Sequence, residues 1–133
     1  MKRRNFIAQS LIYTSGAAFM PQLAYSRKVQ QTKVRLGFIG VGLRGRNHLE
    51  MALYREDVEI VAICDIDPAA ILIAQKMLTD KGRKPAVAYQ QGDHDFENLA
   101  KRADIDGVVI ATPWEWHVPM ALEVMKQGKY AGL

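Results

Sequence analysis

A doubly wound α/β domain built on a parallel sheet is what this sequence predicts, and three observations predict it. The first is a glycine pattern, Gly40-Val-Gly42-Leu-Arg-Gly45, set directly after a short β-rich run that begins at Val34. The second is the alternation of strand-like and helix-like segments from Val34 to the last residue. The third is Gly107-Val-Val-Ile-Ala111, a continuous apolar run of the kind found in parallel strands covered on both faces.

The elements follow in order. Strand one runs from Val34 into the glycine loop, where Gly40 lets the chain turn sharply off the strand. Gly42 carries no Cβ to hold a pyrophosphate away, and Gly45 lets the next helix pack closely on the sheet. That helix, Arg46 to Tyr54, keeps Leu49, Ala52 and Leu53 on one face, and the free N–H groups at its start point at the phosphates. Arg44 lies inside the loop, open either to phosphate or to solvent. Strand two, Val58 to Cys64, leads into Asp65, 20 positions beyond Gly45. A carboxylate there accepts hydrogen bonds from an adenosine ribose and repels a 2′-phosphate, so the expected cofactor is NAD rather than NADP.

Asp67-Pro68 opens a second helix with a capping Asp and a Pro in the first turn, and Ile71, Ile73, Ala74, Met77 and Leu78 carry it to a stop near Gly82. Val87 to Tyr89 is a third strand, and Asp95 to Arg102 a third helix anchored by Phe96 and Leu99. Strand four, Gly107 to Ala111, is followed by a loop, Thr112-Pro113-Trp114-Glu115-Trp116-His117, then a fourth helix from Val118 to Gln127 stopped by Gly128. Lys129 to Leu133 begins a fifth strand. Right-handed crossovers build these pieces into a Rossmann-type sheet with its ligand at the carboxyl ends of the strands, near the switch point. The glycine loop, Asp65 and the 112–117 segment converge there.

Two readings of Trp114, Glu115, Trp116 and His117 stand side by side. In one they contact the cofactor, the indoles covering the dinucleotide and the imidazole bonding a sugar or the nicotinamide side. In the other Pro113 sets a turn, Trp114 packs under the sheet edge and Glu115 favours the helix N-terminus electrostatically. His48, His94, Glu50 and Glu97 read as packing or solvated residues. Cys64, the single cysteine, reads as a small core residue at a strand end, and no CxxC or HxxxH spacing offers a metal site.

The 133 residues suffice for one domain. The net charge of +4 comes from the leader: Lys2, Arg3, Arg4, Arg27 and Lys28 precede every acid, and beyond them 13 basic residues face 14 acidic ones. The high pI therefore argues for no nucleic-acid partner. Residues 1–26 read as an export signal. Arg3-Arg4-x-Phe6-Ile7 resembles the twin-arginine signal that carries folded proteins outward, with a Sec signal as the other reading, and Ala24-Tyr25-Ser26 suits a signal peptidase. The apolar stretch is too short and interrupted to span a bilayer. Residues 27–32 are a polar linker, and 33–133 the dinucleotide-binding domain.

The segments LGFIGVGLRG, VAICDIDP, DIDGVVIATP and MALEVMKQGKYAGL resemble the N-terminal NAD-binding half of the Gfo/Idh/MocA oxidoreductases across residues 33–133. TPWEWH, where that family more commonly has an Asn-containing loop, is similar to the NAD-dependent α-N-acetylgalactosaminidases of glycoside hydrolase family 109, which are exported proteins. The resemblance implies that Gly40, Gly42 and Gly45 are the family's glycines. It also implies that Leu43 and Arg44 lie against the phosphates, Asp65 on the ribose, and Trp114 through His117 along NAD. It implies a small-molecule sugar or glycan substrate, with a homo-oligomer left open. The reaction it implies is oxidation at the sugar C3 by NAD⁺, elimination of the C1 substituent, addition of water and return of the hydride, which is net hydrolysis without redox change. Catalytic residues stay unassigned, since family members place them in a later α+β domain, and the chain reads as incomplete at its C-terminus. Two other functions remain open: a sugar or polyol dehydrogenase of the same family, and a non-catalytic NAD-binding fragment.

Overall fold

A computed structural model describes residues 32–133. The leader and all but the last residue of the linker lie outside them. Five parallel strands form one sheet in the order β3-β2-β1-β4-β5. They are β1 (Val34–Ile39), β2 (Val58–Cys64), β3 (Val87–Tyr89), β4 (Gly107–Ile110) and β5 (Tyr130–Gly132), joined by α1 (Leu43–Leu53), α2 (Pro68–Asp80), α3 (Phe96–Ala100) and α4 (Trp114–Lys126). Parallel pairing rules out hairpins, so every connection crosses a face of the sheet and carries a helix. The chain steps outward from β1 to β3, returns to β4 beside β1, and continues the other way. Adjacent β1 and β4 therefore flank the switch point.

Two apolar cores sandwich the sheet. Phe38, Ile60 and Ile63 meet Leu49 and Leu53 of α1 and Ile71, Ala74 and Leu78 of α2. On the other face Ile39, Ala62, Val108 and Ile110 meet Phe96 and Leu99 of α3 and Met120, Ala121 and Val124 of α4. A side chain such as Leu49 or Leu78, fully buried, contributes on the order of 1.5–3 kcal/mol. One irregularity sorts β2 between the cores. Leu36 pairs with Ile60 but Gly37 with Ala62, so Val61 is an extra residue in the ladder. This bulge reverses the facing of the strand at mid-length. Val58, Ile60 and Ile63 share one core, while Ala62 and Cys64 join the other.

The expected caps form at α2, where Asp67 Oδ1 accepts from Ala69 N at 2.9 Å and Pro68 occupies the first helical position. Two helix starts differ from expectation. α1 begins at Leu43 rather than Arg46, so Leu43, Arg44 and Gly45 belong to its first turn. α4 begins at Trp114 rather than Val118, so the segment expected as a loop is helical, and Pro119 lies inside the helix. Pro119 lacks the N–H of a mid-helix residue. Here one i→i−4 bond is forgone on an exposed flank, and Pro113, extended at ψ 151°, precedes the first turn. The opposite end of the β1–β4 pair is clamped by Asp106, whose carboxylate accepts from Arg35 N at 2.8 Å, Nε at 3.1 Å and Nη2 at 2.7 Å.

Candidate functional site

The carboxyl ends of β1, β2 and β4 open into a cavity of about 290 Å³. Ile39, Gly40 and Gly42 come from the β1 turn, Cys64, Asp65 and Ile66 from the end of β2, and Ala111, Thr112 and Pro113 from the end of β4. Trp116 and Met120 of α4 add apolar wall, and Gly92 and Asp93 close the side beyond β3.

The three glycines of the loop do different work. Gly40 holds a φ of +84°, and a Cβ there would stand 2.6 Å from the Ala111 carbonyl oxygen, so the turn must be glycine to lie against β4. Gly45 is required more severely: its Cβ would sit 1.9 Å from the Gly40 carbonyl oxygen, where α1 crosses the strand end. At Gly42 a Cβ meets nothing within 4 Å, and the residue borders the cavity. The protein's own packing therefore does not require glycine at 42. A pyrophosphate approaching the backbone does. Gly42 is the N-cap of α1 and supplies no side-chain cap, so the first-turn N–H groups are free of side-chain partners, as an anion site at a helix N-terminus needs.

Asp65 is held rather than swinging free. Its Oδ2 accepts from Val41 N at 2.8 Å and its Oδ1 from Asp67 N at 2.9 Å, which ties the glycine loop to the start of α2. Each oxygen keeps acceptor capacity for a ribose hydroxyl. Neighbouring Cys64 is buried, and burial, with the charges of Asp95 and Asp65, pushes its thiol up to about 12. A thiol so protonated is not a nucleophile at neutral pH.

The 112–117 segment separates into different fates. Trp116 lines the cavity and packs edge-on against Phe96 at 6.2 Å and His94 at 5.6 Å. Trp114, two positions earlier and so on the opposite side of the helix, is 88% exposed. It does not pack under the sheet edge. Glu115 is exposed in the first turn of α4, where its charge suits the helix dipole. His117 Nε2 lies 2.8 Å from the Thr112 carbonyl oxygen, and since a carbonyl only accepts, Nε2 carries the proton of that bond. Its imidazole closes the strand end instead of lining the cavity. Leu43 and Arg44 are exposed on the first turn of α1 and likewise do not line it. Ile66, Gly92, Asp93 and Met120 were missed by sequence reading. No local signal marked Gly92 and Asp93, because only the strand order brings that turn beside β2.

Among the described residues no group of three His, Cys, Asp or Glu side chains could hold a metal ion, and no helix is long and apolar enough to cross a membrane. The free helix N-terminus, the open space at Gly42 and the carboxylate at Asp65 together fit a dinucleotide laid across the switch point.

Comparison with known proteins agrees with that chemistry. Residues 34–131 match the model of an oxidoreductase family, Gfo/Idh/MocA, described as an NAD-binding Rossmann fold. A glycosyl hydrolase family 109 protein of Saccharopolyspora erythraea is 46% identical over 100 residues, covering 75% of this chain and 22% of its own length. One of Stenotrophomonas maltophilia is 40% identical over 134 residues, covering 99% of this chain and 29% of its own. The crystal structure of myo-inositol dehydrogenase from Lactobacillus casei in complex with NAD(H) and myo-inositol superimposes with a TM-score of 0.61 at 28% identity, over 74% of this chain and 27% of that one. The chain thus spans less than a third of the length of each of these relatives.

Proposed function

The chain belongs to the Gfo/Idh/MocA oxidoreductases and carries their NAD-binding domain, and from that premise we propose that it is the cofactor-holding part of an exported glycosidase acting on terminal α-N-acetylgalactosamine. The observation that carries this reading is the 40–46% identity to glycosyl hydrolase family 109 proteins, against 28% for the inositol dehydrogenase. The twin-arginine-like leader is in keeping with an exported enzyme. Bound NAD supplies a hydride acceptor that later returns the hydride, so that the net reaction is hydrolysis.

The residues of this chain bind and orient. The first turn of α1 and Gly42 receive the pyrophosphate, Asp65 accepts from the adenosine ribose, and Trp116, with Met120 beside it, keeps water from the cavity wall along α4. Removing water there strengthens each polar contact made inside the site. A second reading, a sugar or polyol dehydrogenase with net hydride transfer, is favoured by the fold likeness to the inositol dehydrogenase.

A chimera separates the two. Residues 34–131 replace the matching region of the Saccharopolyspora erythraea relative, and the chimera is given an aryl α-N-acetylgalactosaminide with NAD⁺. Aglycone release without accumulation of NADH is the expected result. Accumulating NADH, or no aglycone from a chimera that still binds NAD⁺ tightly, rejects the glycosidase reading.

A further inference from the structure

Asp95 is the one buried charged side chain among the described residues, 7% exposed, and no binding role accounts for it. It stands just before α3, yet its carboxylate is not spent capping that helix. Oδ2 instead accepts from Gln91 N at 2.9 Å, Oδ1 accepts from Asn98 Nδ2 at 2.8 Å, and Asp95 N donates to the Gly92 carbonyl at 3.3 Å. The two ends of the short turn between them are thereby pinned, with Gly92 at a φ of +93°. Gly92 and Asp93, the middle of that turn, are the cavity wall beyond β3. His94 and Phe96, on either side of Asp95, hold Trp116, which lines the same cavity from α4.

We propose that Asp95 is a positioning residue for NAD: its bond to the Gln91 amide sets the 91–94 turn in the shape that completes the cavity, although Asp95 itself does not line it. A buried carboxylate costs desolvation free energy and is tolerated where hydrogen bonds satisfy it. Two of the bonds in this cluster constrain the wall of the site, and one runs to α3. A turn held before the cofactor arrives is not ordered at the expense of binding.

The inference rests on the NAD reading, and the tests keep the two apart. In the full chain, with Trp114→Phe leaving Trp116 as the only tryptophan, NAD⁺ affinity and Trp116 emission are measured in three folded variants. Asp95→Ala removes both acceptors and is expected to weaken NAD⁺ by about tenfold and shift Trp116 emission. Asp95→Asn keeps an acceptor for Gln91 N, and Asn98→Ala breaks only the α3 bond, so both are expected within about threefold of the parent. Asp95→Ala binding as tightly as the parent overturns the proposal, and so does Asp95→Asn falling as far as Asp95→Ala. Hydrogen exchange of the parent protein without cofactor gives a reading that no variant's folding can spoil. A slowly exchanging Gln91 amide supports the pinned turn, and one exchanging at the unprotected rate overturns it. Failure of the parent to bind NAD⁺ sinks the NAD reading, whatever Gln91 does.

Discussion

The turn leaving β1 and the turn leaving β4 stand side by side at one end of the sheet and are built in opposite ways. The first is made of backbone. Gly40 lies against the Ala111 carbonyl, Gly45 against the Gly40 carbonyl, and the site is what remains where Gly42 has no side chain. The second is made of side chains on a helix: Trp116 turned into the cavity, Trp114 into solvent, His117 back onto Thr112. In the β1 turn each glycine answers to one neighbour: Gly40 to the Ala111 carbonyl, Gly45 to the Gly40 carbonyl, and Gly42 to the approach of a pyrophosphate. In the β4 segment the role of a side chain depends on where α4 starts, because a shift of one residue turns each by about 100° around the axis.

The largest effect that tests this contrast is within the first turn. Gly45→Ala puts a methyl into the Gly40 carbonyl, with loss of about 3 kcal/mol or more of stability by chemical denaturation. Gly42→Val, three residues away, is expected to cost no more than about 1 kcal/mol of stability, the loss of a favourable N-cap residue, because nothing stands near its Cβ, while NAD⁺ affinity falls by about tenfold or more in calorimetric titration. Equal stability losses at the two positions would erase the distinction between packing and ligand glycines.

The β4 turn is tested by its two indoles. Trp116→Ala is expected to cost about 1–3 kcal/mol of stability and to weaken NAD⁺, since it empties part of a packed cluster at the cavity wall. Trp114→Ala is expected to change stability by less than about 0.5 kcal/mol and to leave binding as it was. Parity between them in either measurement would mean that the helix does not sort the segment as described.

The smallest effect belongs to the far end of the same two strands. The Arg35 side chain, and then its backbone N–H, hold the Asp106 carboxyl down to about 2, below its ordinary 3.8. A carboxyl depressed in the folded state stabilises above its ordinary value, and that contribution is lost as pH falls from about 4 toward 2. Both partners are about 40% exposed, so solvent screens the pair and the loss is modest. Asp106→Asn should flatten the thermal-stability profile in that pH window and leave NAD⁺ binding at neutral pH alone. A wild-type profile already flat there would show the clamp to be idle.

Much of the fold is legible in the sequence. The alternation of apolar periods placed all five strands, and Gly107-Val-Val-Ile announced a strand covered on both faces, as it is, with Val108 and Ile110 in one core and the half-buried Val109 against the other. The glycine loop and Asp65 were legible as a site because phosphate and ribose place demands on particular residue types. The Gly92–Asp93 wall and Asp95 were not, since a polar turn between a short strand and a short helix reads the same whether it faces a ligand or bulk water.

By itself the sequence determined the order of elements, the parallel sheet and the glycine-and-carboxylate core of the dinucleotide site, because these follow from backbone freedom and apolar spacing within a few residues. Only the tertiary structure decided the bulge at Val61 that deals β2 side chains between two cores, the start of α4 at Trp114, and the choice of Trp116 over Trp114. It also decided that Asp95 is buried beside the site. Each of these depends on which segments become neighbours when the sheet closes, and that information lies between distant parts of the chain rather than in any one of them.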